Sequence, residues 1–220
     1  MDFDLTIIGS GPGGYVAAIR GAQLGLKVAI VEREALGGIC LNWGCIPTKS
    51  FLRSAEVLKI IEGSEKYGIK SKLGDIDIRE VVKRSRSIAK KLSSGVEYLL
   101  NKNKVEVFAG EASINDSKTV KIIDKNNVVR EITSKNICIA SGGRPREISG
   151  IPNSSNVWYY KDALQVDKIP NKLLVVGSGA IGVEFASFFA QMGSDVSLLE
   201  SKPTILPNED LEISNFVEKQ

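Results

Sequence analysis

Residues 5–33 read LTIIGSGPGGYVAAIRGAQLGLKVAIVER, and residues 173–201 read LLVVGSGAIGVEFASFFAQMGSDVSLLES. Laid over each other without a gap, the two stretches are identical at 11 of 29 positions. Each begins with a short apolar run, passes through a glycine turn into a helix-compatible segment, and reaches a second apolar run after Gly25 or Gly193. Short apolar runs are typical of buried parallel strands. The repeat therefore predicts two βαβ units, with strands at 5–8, 28–31, 173–176 and 196–199.

Both units carry the spacing GxGxxG between the first strand and the helix. The first glycine permits the tight turn, the second lets the backbone approach a pyrophosphate, and the third allows the helix to pack closely on the strand. The helix N-terminus then offers N–H groups and partial positive charge to that pyrophosphate. A glycine turn that serves packing alone is the alternative. The candidate dinucleotide-binding residues are Gly9, Gly11, Pro12, Gly13 and Gly14, and in the second unit Gly177, Ser178, Gly179, Ala180, Ile181 and Gly182.

An acidic residue ends the second strand of each unit. Glu32 and Glu200 each lie 18 residues beyond the third glycine of their unit, close to the spacing of about 20 at which a carboxylate accepts the ribose hydroxyls. Two acids predict two dinucleotides without a 2′-phosphate, which FAD and NAD satisfy. An NADP site would favour arginine near Glu200, where Lys202 is the one basic neighbour. NADP is therefore the minority interpretation.

The composition excludes several classes of protein. The 220 residues carry 29 basic and 26 acidic side chains, a balance that gives no support for a nucleic-acid or membrane-surface partner. The absence of histidine excludes Ser-His-Asp, Cys-His and His-metal sites built from this chain alone, and we expect no metal site. Three cysteines are too few for a secreted disulfide framework. We therefore expect a cytoplasmic protein.

Two of these cysteines lie in GGICLNWGCIPTKS, residues 37–50. Cys45 precedes Pro47, and proline favours the first turn of a helix. Cys45 would then lie at a helix N-terminus, where the dipole favours a thiolate. A thiolate beside a flavin can pass an electron pair into the ring, which leaves Cys40 to exchange with a substrate. Two buried thiols or a structural disulfide remain as alternatives. Cys138 lies in an apolar run and is predicted to be a core residue.

The rest of the chain predicts the fold class, an α/β protein. We expect a Rossmann-like FAD-binding domain at 1–149, with helical and β-meander insertions at about 51–135. A linker and an incomplete Rossmann-like NAD-binding domain follow at 150–220. The predicted helices span 48–61 and 76–103, and the predicted strands span 105–114, 118–123, 128–133 and 137–140. The polar stretch 150–171 is the predicted connection between the domains.

The segment GGICLNWGCIPTK resembles the redox-active disulfide signature of the flavoprotein pyridine nucleotide-disulfide oxidoreductases. Its details, together with IASGGRP at 139–145 and GSGAIGVEFA at 177–186, are most similar to the dihydrolipoamide dehydrogenase branch of that family. The resemblance implies a redox disulfide between Cys40 and Cys45, and it places Lys49 and Glu184 near the junction of flavin and nicotinamide. The other FAD contacts that it implies are Glu32, Arg33, Gly37, Gly38, Lys49, Ala112, Ser141 and Gly142. The implied NAD contacts are the second glycine turn, Glu184 and Glu200.

The same resemblance implies an activity and partners. Dihydrolipoamide on a lipoyl domain of a 2-oxo acid dehydrogenase complex would be oxidised, with NAD as acceptor. The family is homodimeric, and its C-terminal domain supplies a His-Glu acid–base pair that this chain does not contain. We therefore expect a truncated N-terminal portion that is inactive alone. Two alternatives remain: an NADPH-dependent disulfide reductase of the same family, and a non-catalytic nucleotide-binding fragment.

Overall fold

The structure, a computed structural model, describes residues 1–146, 148–152 and 154–220. The strands in chain order are β1 (Phe3–Ile8), β2 (Val28–Glu32), β3 (Glu106–Ala109), β4 (Glu111–Ile114), β5 (Thr119–Ile123), β6 (Val129–Ile139), β7 (Lys172–Val176) and β8 (Asp195–Leu199). The α-helices are α1 (Pro12–Gln23), α2 (Gly38–Trp43), α3 (Cys45–Glu62), α4 (Ile78–Lys102), α5 (Tyr160–Ala163), α6 (Ala180–Gln191) and α7 (Leu211–Glu218). Both predicted βαβ units are thus confirmed, as β1–α1–β2 and β7–α6–β8.

The first unit is built on a six-stranded sheet in the order β3-β2-β1-β6-β5-β4. The pairs β3–β2, β2–β1 and β1–β6 are parallel, whereas β6–β5 and β5–β4 are antiparallel. Parallel strands carry crossover helices on their faces, while the antiparallel strands form a meander. The predicted Rossmann-like sheet with an inserted β meander is therefore confirmed.

Two of the predicted strand boundaries are wrong. Residues 128–133 and 137–140 form one strand, β6, because its first part pairs antiparallel with β5 and its last part pairs parallel with β1. Conversely, the predicted strand 105–114 is divided into β3 and β4 at Gly110, whose φ is +157°. A Cβ at Gly110 would lie 2.7 Å from the carbonyl oxygen of Ile123, so the chain passes from one sheet segment to the other where only glycine fits.

The strand β2 has a buried side chain on each face. Val28 and Ile30 belong to a cluster with Ile7, Ala18 of α1 and Leu100 of α4. Their neighbours Ala29 and Val31 pack in a second cluster with side chains of the meander strands β5 and β6. A strand covered on both faces has a continuous apolar sequence rather than an alternating one. The run VAIV at 28–31 therefore predicts a buried strand.

The chain divides into two compact units, Met1–Pro47 with Arg86–Val157, and Thr48–Ser85 with Trp158–Gln220. Residues 48–85 thus group with the second βαβ unit, because Phe51 packs on Phe188 with ring centres 4.7 Å apart. Within the predicted connection 150–171, Leu164 and Val166 are buried in the cluster that contains Phe51 and Phe188. Asn153 of this connection lies outside the described residues. The assignment of the FAD- and NAD-binding domains stays a prediction.

No helix in residues 1–146, 148–152 and 154–220 is both long enough and apolar enough to cross a membrane.

We predict that Gly14→Ala destabilises the protein by about 2 kcal/mol or more, because overpacking against a rigid neighbour forces the backbone to move. An added Cβ at Gly14 would lie 1.9 Å from the carbonyl oxygen of Gly9. Urea unfolding of the parent and the variant measures the effect. Gly13→Ala is the matched control, because the same added Cβ meets nothing within 4 Å. Equal unfolding midpoints for Gly14→Ala and the parent would contradict this packing.

Candidate functional site

A cleft of about 400 Å³ lies where the parallel strands of the first unit end. The carboxyl ends of β1, β2, β3 and β6 share one edge of the sheet because these strands are parallel, and in open α/β sheets ligands bind outside this edge. Of the predicted cofactor and redox residues, the cleft is lined by Gly9, Gly11, Pro12, Glu32, Arg33, Gly38, Cys40, Ala112, Ser141 and Gly142. Gly13, Gly14 and Gly37 are close in sequence to these residues but are not among those that line the cleft.

The glycine turn after β1 has no room for side chains on its inner side. Gly9 has φ +98°, and its Cβ would lie 2.3 Å from the carbonyl oxygen of Ala140. Gly11, in contrast, has extended backbone and no atom within 4 Å of an added Cβ. It is the N-cap of α1, and no side chain caps that helix. The open space at Gly11, beside the N–H groups of the first turn of α1, fits the pyrophosphate of a dinucleotide.

The carboxylate at the end of β2 is held by the same turn. Oε2 of Glu32 accepts hydrogen bonds from the backbone N–H of Ser10 at 2.9 Å and from its hydroxyl at 2.7 Å. Oε1 of Glu32 accepts one from the N–H of Glu34 at 2.9 Å. Ser10 is fully buried and was missed as a site residue, although it is identical to Ser178 in the repeat. The carboxylate is therefore oriented by the chain itself.

The second unit repeats this arrangement with matching distances. Oε2 of Glu200 accepts hydrogen bonds from the N–H of Ser178 at 2.9 Å and from its hydroxyl at 2.7 Å. Its Oε1 accepts bonds from the N–H groups of Ser201 at 2.7 Å and Lys202 at 3.0 Å. These hydrogen bonds, the backbone N–H of Ser178 first, lower the pKa of Glu200 from its ordinary 4.5 to about 2. Glu200 is therefore an ionised acceptor at neutral pH.

The second glycine turn is open in the same way. Gly177 has φ +98° and its N–H donates to the carbonyl oxygen of Leu199 at 2.8 Å. An added Cβ would meet nothing within 4 Å at Gly177 or Gly179, whereas at Gly182 it would lie 1.9 Å from the carbonyl oxygen of Gly177. Ala180 and Ile181 open α6. The predicted NAD contacts in this turn thus surround the N-terminus of one helix.

Lys49 and Glu184, predicted as a pair, are in contact. Nζ of Lys49 on α3 lies 2.6 Å from Oε1 of Glu184 on α6. The Lys49 side chain is 61% exposed and that of Glu184 is 26% exposed, so the pair is accessible to solvent and is worth little for stability. The structure brings the two residues together as the resemblance implied, and their contact with cofactors stays a prediction.

The two cysteines of the motif lie on different helices. Cys40 is half-buried on α2, and Cys45 is the exposed first residue of α3. The predicted position of Cys45 at a helix N-terminus is confirmed. The cysteines are thiols in this structure. Cys40, not Cys45, is in the described lining of the cleft, so the predicted division of roles between the two stays a prediction.

Cys138 lies on β6, beside Ile7 of β1. It is half-buried and packs against the cluster that contains Ile7 and Ile30. The predicted core position of Cys138 is confirmed, although its burial is partial.

Comparison with known proteins agrees with this geometry. A profile of the family described as pyridine nucleotide-disulphide oxidoreductase matches residues 3–220. A dihydrolipoyl dehydrogenase of Zymomonas mobilis is 50% identical over 218 residues, which cover 99% of this chain and 47% of the relative. A dihydrolipoyl dehydrogenase of Rhizobium etli is 48% identical over 235 residues, covering 99% and 49%.

A more distant dihydrolipoyl dehydrogenase, from Bacillus subtilis, is 38% identical over 226 residues, covering 99% of this chain and 48% of the relative. The chain spans about half the length of the curated relatives it matches. The resemblance to the N-terminal portion of dihydrolipoamide dehydrogenases is therefore confirmed. Since the family profile matches nearly the whole chain, the chain belongs to the pyridine nucleotide-disulphide oxidoreductase family.

Proposed function

We propose that this chain is the FAD- and disulfide-bearing portion of a dihydrolipoamide:NAD oxidoreductase. The observation that carries the proposal is that Cys40 lines the same cleft as the glycine turn and the Glu32 carboxylate. A dinucleotide on the turn and a redox-active sulfur would thus share one cavity. The names of the relatives support dihydrolipoamide as the substrate.

The residues of the first unit fit FAD. The open backbone at Gly11 leaves space for the pyrophosphate, and α1 directs its N-terminal N–H groups toward that space. Glu32 would accept the hydroxyls of the adenosine ribose. FAD, when bound, supplies an acceptor for the two electrons of a dithiol and a hydride donor to NAD.

The cysteines would carry the exchange with substrate. One thiolate of dihydrolipoamide attacks Sγ of Cys40, which breaks the Cys40–Cys45 bond and releases Cys45 as a thiolate. The second substrate thiol then displaces Cys40, so that lipoamide leaves as a disulfide and both cysteines are reduced. Bound FAD would be the acceptor of these two electrons, and Cys45 is the residue whose thiolate we propose would stand beside the flavin. The chain contains no histidine, and the family resemblance implies a His-Glu pair as the acceptor of the protons from the substrate thiols.

The second unit fits NAD better than NADP. Glu200 is ionised and stands where the ribose hydroxyls of NAD would bind, and its charge opposes a 2′-phosphate. Lys202 donates its backbone N–H to Glu200, and its cationic side chain nearby is the observation that favours the NADPH-dependent alternative. Tighter binding of NADPH than of NADH to the purified protein would favour that alternative.

The setting of this activity is part of the same proposal. The partner would be a lipoyl domain of a 2-oxo acid dehydrogenase complex, and the setting would be the cytoplasm. A non-catalytic nucleotide-binding chain remains the third hypothesis. Retention of bound dinucleotide without a reducible Cys40–Cys45 disulfide would favour it.

We predict that Gly11→Val abolishes retention of FAD on purification while the protein stays folded. An added Cβ at Gly11 meets no protein atom within 4 Å and the backbone there is extended, so the protein has room for the Cβ and the side chain would enter the space proposed for the pyrophosphate. The ratio of flavin absorbance to protein absorbance measures retention. Gly95→Val on α4 is the control, since it also points into open space. Flavin retained by Gly11→Val at the level of the control would show that the cleft is not the FAD site.

We predict that Cys40 and Cys45 form a reducible disulfide and that Cys138 does not take part. Protein purified in air and unfolded without reductant should show one reactive thiol, which rises to three after reduction. Thiol titration in denaturant measures both values. Cys138→Ser is the control, and we expect it to show no reactive thiol before reduction and two reactive thiols after it. Three reactive thiols before reduction would contradict the redox pair.

We predict that the carboxyl of Glu200 titrates near pH 2. Its pKa in the folded protein lies below its ordinary 4.5, so its contribution to stability is fully present above pH 4.5 and is lost as pH falls toward 2. Carboxyl carbon shifts of labelled glutamate, followed from pH 6 to pH 2, measure the pKa. The variant Glu200→Gln should lose this pH-dependent part of the unfolding free energy, whereas Glu209→Gln should keep it. Titration of Glu200 near 4.5 would contradict the hydrogen-bond network.

A further inference from the structure

One face of α4 follows the whole length of the short helix that carries Cys40. The residues Arg86, Ala89, Ser93, Val96 and Leu100 recur at intervals of three and four, which places them on one side of the helix. Ala89, Val96 and Leu100 are buried, and the last two belong to the same cluster as Leu41 of α2. This face of α4 is therefore fixed against the core next to the cysteine loop.

Arg86 contacts Asn42 and Trp43, the last two residues of α2. Both lie between Cys40 and Cys45. Nη2 of Arg86 donates a hydrogen bond to the carbonyl oxygen of Asn42. Its guanidinium carbon lies 4.1 Å from the centre of the Trp43 ring, within the range of a cation–π contact. A planar guanidinium can make both contacts at once, which an ammonium group cannot do equally well.

The segment just before α2 is held by the same face of α4. The hydroxyl of Ser93 donates to the carbonyl oxygen of Leu36 at 2.7 Å. The side chain of Asn42 donates to the same oxygen at 2.9 Å and to that of Gly38 at 3.0 Å. Arg86 therefore holds the backbone of Asn42. The side chain of Asn42 in turn connects the end of α2 to Leu36 and Gly38 at its beginning.

The short helix needs this external support. α2 has six residues, far fewer than the roughly 12–15 that make an isolated helix marginally stable. Gly37 and Gly38 at its start have φ +93° and +62°, and Gly44 separates it from α3. The position of Cys40 relative to Cys45 therefore depends on contacts from outside the loop.

Burial of part of the Arg86 guanidinium carries a cost. Its Nη1 is buried without a hydrogen-bond partner in the described residues, and burial lowers the pKa of the guanidinium. A buried unpaired donor opposes folding.

We propose that Arg86 is a positioning residue that fixes the Asn42–Trp43 segment and thereby favours closure of the Cys40–Cys45 disulfide. This rests on the redox role proposed above for the two cysteines. In the test reaction, two protein thiols and one oxidised glutathione give one protein disulfide and two reduced glutathiones, so two electrons pass to glutathione with the protons retained on its thiols.

The experiment measures the equilibrium constant of this reaction in the parent, Arg86→Gln, Arg86→Lys and Lys91→Gln, each in a Cys138→Ser background. The proteins are equilibrated in graded glutathione buffers, quenched in acid, alkylated and weighed by mass spectrometry. We expect Arg86→Gln to lower the constant about tenfold, which is about 30 mV for this two-electron couple. Arg86→Lys should lower the constant less, because it keeps the charge and can still donate a hydrogen bond to the carbonyl oxygen of Asn42. Lys91→Gln removes the same charge from an exposed site on the same helix and should stay within twofold of the parent.

The outcomes separate this inference from the proposed function. A parent that forms no Cys40–Cys45 disulfide at any buffer ratio overturns both. If the parent forms the disulfide and the equilibrium constant of Arg86→Gln is within twofold of the parent's, the role of Arg86 is overturned while the redox role of the cysteines stands. An equal shift in Lys91→Gln also overturns the role of Arg86, since net charge then explains the effect. The unfolding free energies of the reduced proteins are measured separately. If Arg86→Gln does not fold, Arg86→Lys decides: a shift of threefold or more supports the role, and a smaller one rejects it.

Discussion

The close approach of a helix to the turn before it is the constraint on which both βαβ units depend. Gly14 and Gly182 each lie where a Cβ would be 1.9 Å from the carbonyl oxygen of the first glycine of the turn. Because the helix can lie against the turn, its N-terminus points to the edge of the sheet where the parallel strands end. The open backbone at Gly11 and Gly179 lies at the helix N-termini that this contact positions.

The two units also share the way in which each carboxylate is held. Glu32 and Glu200 accept the N–H and the hydroxyl of the serine in their turn at the same 2.9 and 2.7 Å. A ribose that binds either carboxylate would find it already oriented, which reduces the ordering that binding requires. The serine links the residue proposed to bind the ribose to the turn proposed to bind the pyrophosphate, so each turn and its acid act as one module.

The sequence predicted these modules because their constraints are local. The spacing GxGxxG and the acid at the end of the next strand fix short-range geometry, and they identified the βαβ units and four residues that line the cleft, Gly9, Gly11, Pro12 and Glu32. Contacts between distant parts of the chain were not predictable in this way. Phe51 packs on Phe188 and draws residues 48–85 into the second unit, and no local pattern states which apolar faces meet. Ser10 was missed although its identity with Ser178 in the repeat was visible.

The cysteine loop differs from the glycine turns in the source of its order. A glycine turn is shaped by its own backbone, whereas α2 is too short to hold its shape and contains residues fixed by α4. The disulfide cycle proposed for Cys40 and Cys45 would require an open and a closed state, and a loop rigid in itself would resist one of them. Gly44 lies between α2 and α3, so Cys45 belongs to a long helix, whereas Cys40 belongs to the short helix that α4 restrains. The order of the site proposed for the nucleotide is thus local, whereas the order of the proposed redox pair depends on contacts with α4.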